Sequence, residues 1–169
     1  MKANLKKRSV AILVMVVLIV LSILIGINRS FYTIRKELTD EYYRSAYGIQ
    51  SQLDRRIEAS NGLVGLAEGQ VEEAVLTRLK EDVEALRNAD SPSEQFDANS
   101  LLSGSFNAVA SALNLPESNE FYQDFEEAQD AIQNSRYNQQ AAEFNETRSS
   151  FPACVLSWVI FSGPLEEFR

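Results

Sequence analysis

Polar and apolar positions divide the chain into two unequal stretches. No charged residue occurs between Arg8 and Arg29, and residues 9–28 read SVAILVMVVLIVLSILIGIN. As a helix these 20 residues would extend ~30 Å, the thickness of a bilayer's hydrocarbon core. Beyond residue 29 the apolar positions recur three or four apart, the spacing of one helical stripe. Phe31, Ile34, Leu38, Tyr42, Ser45, Ile49 and Leu53 predict a helix over residues 30–60 that continues the apolar rod without a linker. Asn61-Gly62 reads as a turn. Leu63, Ala67, Val71, Val75, Leu79, Val83 and Leu86 then predict a second helix to residue 88.

Ser91-Pro92-Ser93-Glu94 carries a capping serine, a proline at the first helical position and a glutamate at the third, which opens a third helix through residue 113. It buries Leu102, Phe106, Val109 and Leu113 and is broken at Asn114-Leu115-Pro116. A fourth helix from residue 118 turns Phe121, Phe125, Ala128 and Ile132 inward. Tyr137, Ala141, Phe144 and Phe151 continue the stripe after a step of five, a local stutter that rotates the face. Tyr137-Asn138 and Phe144-Asn145 repeat seven apart, with each aromatic on the buried face and each asparagine at its edge, and Pro152 stops the helix. The expected fold is all-α: a transmembrane helix followed by an antiparallel four-helix up-and-down bundle. Its parts are a basic tail (residues 1–8), an anchor (9–28), the bundle (29–152) and an apolar tail (153–169).

Charge sharpens this picture. Lys2, Lys6, Lys7 and Arg8 precede the apolar run, which is too long for a signal h-region and lacks a small-x-small cleavage site, so it reads as an uncleaved anchor. The basic residues on its two flanks favour, by a small margin, a cytoplasmic amino terminus and an extracytoplasmic domain. All 24 acidic residues and 12 of the 16 basic ones follow the run, leaving the body at −12. Such a body repels nucleic acid. The chain has no histidine and one cysteine, Cys154. That removes serine-histidine and cysteine-histidine catalysis, nearly every zinc arrangement and the diiron Glu-x-x-His pairs, so no catalytic, cofactor or metal residue is expected. Glu72, Glu73, Glu81, Asp82 and Glu84 read as a solvated helix face.

The pattern of Tyr137-Asn138, Phe144-Asn145 and Phe151-Pro152, with Gln52-Leu53, Arg55-Arg56 and Leu115-Pro116-Glu117, resembles the LemA family of bacterial membrane proteins. The resemblance covers nearly the whole chain. It implies a four-helix bundle on one anchor, no enzymatic activity, and a short external amino terminus, which opposes the charge count. The chain departs from that family at Ser60-Asn61-Gly62-Leu63-Val64, where an Ile-Pro-Asn-Leu-Val run is usual, and at Ala46, where a tryptophan is expected.

Arg55 and Arg56 are expected to close the first helix and complement its dipole, or to dock an acidic partner. Asn138 and Asn145 are expected to bond between helices, with contact to a ligand or partner as the alternative. Trp158 and Phe161 lie in the apolar carboxy-terminal run, for which two placements are open: on the membrane interface, with Trp158 at headgroup depth, or capping the end of the bundle. The expected function is a non-enzymatic scaffold or adaptor in the bacterial cytoplasmic membrane, held in lipid through residues 9–28 and presenting an acidic body to another envelope protein. The alternative is a sensory bundle that binds a small ligand between its helices. The apolar heptads could also serve homo-oligomerisation.

Overall fold

A computed structural model describes residues 2–150 and 163–169 of the 169-residue chain. Among them are six helices and no strand: α1 (Lys2–Arg44), α2 (Ile49–Ala67), α3 (Glu73–Arg87), α4 (Pro92–Ala112), α5 (Glu120–Gln133) and α6 (Tyr137–Ser149). They fall into two compact units, Met1–Glu37 with Glu143–Pro164, and Leu38–Ala142 with Leu165–Arg169.

In the first unit the apolar run of α1 stays helical throughout and is long and apolar enough to cross a membrane. Its side chains are exposed on every side; Leu13 and Met15, for example, are 63% and 56% exposed. Further along, Phe31 and Phe144 meet edge to face, with ring centres 5.7 Å apart.

The second unit is organised around α2, which packs against α3, α4 and α5, while α3 also packs on α4. The core follows most of the predicted stripes, although Val71, Val75, Leu113 and Phe121 are only half-buried and Leu76 takes the inward place beside Val75. Leu53, Leu63, Leu79, Val83, Leu102, Phe106, Val109, Phe125 and Ala128 are all buried. Each such side chain contributes roughly 1.5–3 kcal/mol when it leaves water, alanine less, so these positions carry most of the fold's stability. The third predicted helix begins where its local chemistry places it. Ser91 Oγ accepts from the Glu94 N–H at 3.3 Å, and the Glu94 carboxylate accepts from the Ser91 N–H, a complete capping box.

The helix breaks differ from the periodicity reading in three places. First, the helix expected over residues 30–60 is interrupted at residues 45–48, and the stripe is exposed at Ile34 and only half-buried at Ser45. Gly48 marks this break. A Cβ there would lie 2.1 Å from the Glu41 carbonyl oxygen, so only a bare backbone allows the chain to double back.

Second, Asn61-Gly62 is no turn. It lies inside α2, where the Phe121 ring packs on the helix backbone and would sit 2.3 Å from any Cβ at Gly62. The turn comes instead at residues 68–72, where Gly69 takes a φ of 75°. Third, the fourth predicted helix is divided at residues 134–136, between Ile132 and Tyr137 where the sequence pattern slips.

Candidate functional site

The repositioned breaks move the paired arginines. Arg55 and Arg56 were expected at a helix end, but α2 runs on to Ala67 and leaves both in its interior. There one helical step separates two environments. Arg55 is half-buried and reaches across to α5, 3.2 Å from Asp124 and 3.5 Å from Glu127. Arg56 points into the core and is 1% exposed.

Arg56 is held by neutral groups. Its Nη1 donates to Asn99 Oδ1 and, at 2.7 Å, to Gln129 Oε1; its Nη2 donates to Ser103 Oγ at 2.8 Å. Asn99 Nδ2 donates to the same Gln129 oxygen at 3.2 Å, and Ser103 Oγ returns a bond to the Asn99 carbonyl. The guanidinium carbon lies 3.8 Å from the centre of the Phe125 ring, which itself stacks on Phe106. A desolvated cation over an aromatic face contributes about 2 kcal/mol. Among the described residues no carboxylate comes within ion-pair distance, and Arg56 Nε has no acceptor at all. Burial pulls the guanidinium from its ordinary value down to about 10, and the more distant Glu126 carboxylate opposes that shift. Arg56 therefore carries its charge at neutral pH.

A cleft of about 170 Å³ opens beside this network, in the same unit. Its polar wall includes Asn99, Ser100, Ser103, Gln129 and Gln133, and its apolar parts include Ile49, Phe96 and Ile132. Asn138 and Phe168 complete one end.

That end is built by the extended segment after residue 163. Asn138 Oδ1 accepts from the Phe168 N–H and Asn138 Nδ2 donates to the Phe168 carbonyl, both at 2.7 Å. Tyr137 Oη donates to the Glu166 carbonyl at 2.7 Å. The Phe168 ring is buried beside Phe96 and Tyr42. The Asn138 amide thus pairs with one residue's backbone on both sides, as a neighbouring strand would. Interhelical bonding is expected of Asn138; its partner is instead the backbone of this carboxy-terminal segment. Tyr42 also donates to Gln95 Oε1 at 2.5 Å, and burial, then the neighbouring Tyr43, Tyr137 and Glu166, raise its phenol well above the ordinary tyrosine value.

Asn145 is half-buried on α6 in the first unit. Trp158 and Phe161, and with them the interfacial placement of the apolar tail, lie outside the described residues. Within the acidic run, Glu72, Glu73, Glu81 and Glu84 are exposed, but Asp82 is buried and paired with Arg78 at 3.2 Å. Among the described residues no group of three or more His, Cys, Asp or Glu is placed to hold a metal ion.

Sequence reasoning passed over Gln95, Asn99, Ser103 and Gln129. A signal was present, since Gln95, Asn99 and Ser103 follow at steps of four beside the buried Leu102 and Phe106 stripe. Comparison with protein-family models, with curated proteins and with solved structures finds no match.

Proposed function

We propose that this chain is a non-enzymatic, membrane-anchored adaptor of the bacterial envelope, similar to the LemA family, which presents an acidic helical body to another envelope protein. The observation that carries the reading is the apolar length of α1, helical and exposed all round over a stretch without charge. In water that surface is unfavourable; in lipid it is the matched solvent.

In this reading the body is an up-and-down bundle of four rods, of which the first (α1 end and α2) and the fourth (α5 and α6) are broken. Contact pairs support the rod directions. Phe121 meets Gly62 while Gln129 meets Arg56, so α2 and α5 run antiparallel; Gln95 meets Gln50 while Ser103 meets Arg56, so α2 and α4 run parallel. The use of Tyr137 and Asn138 to grip another segment gives a structural reason for the aromatic-asparagine pair.

Membrane fractionation with an alkaline carbonate wash, followed by crosslinking in intact cells from the exposed α3 residues Glu81 and Glu84, tests the proposal. Retention in the washed membranes and a specific crosslinked envelope protein are expected. Release of the chain by the wash, or turnover of a substrate by the purified protein, would end the reading.

A further inference from the structure

We propose that the cleft beside the buried arginine binds a small organic carboxylate, held by the side-chain amides of Asn99, Gln129 and Gln133 in the field of Arg56. Three observations converge on this class of ligand.

The first is charge balance. A buried guanidinium whose hydrogen-bond partners are all neutral has only the more distant Glu126 carboxylate to offset its charge, which leaves it incompletely compensated in a low-dielectric interior. An anion arriving in the adjoining cleft would reduce that cost. The chain has 24 acidic residues against 16 basic, yet none of the residues that line the cleft is acidic. A wall free of carboxylates in so acidic a protein leaves the position open to an anion from outside.

The second is the orientation of the amides. Asn99 Oδ1 and Gln129 Oε1 both face the guanidinium, because only oxygen can accept from it. The amide nitrogens are left as the donors of these two side chains. Asn99 Nδ2 spends one hydrogen on Gln129, while Gln129 Nε2 and Gln133 Nε2 have no acceptor among the described residues. Amide donors on Gln129 and Gln133 thus line the cleft beside a network whose acceptors are taken up by a charged guanidinium. Donors with charge behind them suit a carboxylate better than a neutral carbonyl.

The third is size and lining. At about 170 Å³ the space lies below the roughly 300–1,000 Å³ of sites for drug-sized molecules. Phe96, Ile132 and Ile49 supply apolar surface beside the amides. A carboxylate on a short hydrocarbon body fits both parts.

The test uses the full chain in nanodiscs of neutral lipid, titrated with butyrate and, separately, with its uncharged isostere butanamide at constant ionic strength. Side-chain amide NMR resonances are followed. Butyrate is expected to shift the Asn99 and Gln129 amides saturably, with butanamide binding about tenfold more weakly or worse.

Ser100→Leu, on the exposed wall and outside the arginine network, fills the cleft without disturbing the core. With helix content unchanged it is expected to abolish butyrate binding. Equal affinity for butyrate and butanamide, absence of saturable shifts, or undiminished binding in folded Ser100→Leu would each overturn the proposal. The site stands apart from the adaptor reading: loss of either leaves the other in place, since one is read by ligand shifts and the other by crosslinks.

Discussion

Two stretches separated by little more than 30 residues invert the usual rule for a protein in water. In α1, residues such as Leu13, Leu18 and Ile23 are exposed; in α2, Arg56 is buried. The first has a surface without a polar partner, the second a charge without an ion pair among the described residues. The contrast shows that exposure alone does not mark a defect. Each arrangement is stable only through what surrounds it, lipid in the proposed reading for α1 and a shell of amides, a hydroxyl and an aromatic ring for Arg56.

The most direct way to break the contrast is to empty its buried side. Arg56→Ala leaves the Asn99 side-chain oxygen without a donor, while Gln129 keeps its bond from Asn99 Nδ2, and removes the contact with Phe125. One unsatisfied acceptor at ~1–3 kcal/mol, with about 2 kcal/mol of lost stacking, predicts a loss of about 3–5 kcal/mol in chemical denaturation. Arg56→Lys keeps the charge without the planar fork and is expected to lose less. On the exposed side, Leu18→Arg places a charge near the middle of the apolar run. It costs about 2.5–3.5 kcal/mol of membrane insertion on the translocon scale, read as protein released from washed membranes. A variant that stays fully membrane-bound would show that lipid is not the solvent of α1.

Phe168→Ala tests the segment that closes one end of the cleft. Burial of the ring predicts a loss of about 1.5–3 kcal/mol, visible as a lower denaturation midpoint. Alkali probes a second buried polar group. The folded-state pKa of Tyr42 lies above its ordinary value of 10.0. The unfolded chain therefore gives up that proton first, and the contribution of Tyr42 to stability, full below pH 10.0, falls as pH rises past it. Tyr42→Phe should flatten the decline in stability above pH 10.0, while losing the bond to Gln95 at every pH. The smallest expected effect is Ser91→Ala, about 1 kcal/mol from the lost cap.

These cases also separate what was legible in the sequence from what was not. The Ser91 cap depends on residues three apart, so its start point could be read directly. The buried stripes could be read for the same reason, since each follows the period of its own helix. Gly62 could not, because its role is set by Phe121, 59 positions away. Next to asparagine, a glycine that admits a ring looks the same in sequence as one that makes a turn. The Arg56 network is similarly hidden, since its members come from α2, α4 and α5 and none is unusual alone. Asn138 can be read as a polar group at the edge of a helical stripe, but its partner lies 30 positions downstream in a segment without periodicity.

The Phe121 ring seated on Gly62 has a mechanical consequence. It works as a pawl in a notch. Because the bare backbone at Gly62 admits the ring where a Cβ would lie 2.3 Å from it, this contact fixes how α5 sits along α2. From Phe121 to Gln129 is eight residues, about 12 Å of helix, and from Gly62 back to Arg56 is six, about 9 Å. A bulkier residue in the notch would push the two rods out of step and carry the Gln129 carbonyl off the guanidinium, so one missing methyl group sets the alignment of a charge two turns away.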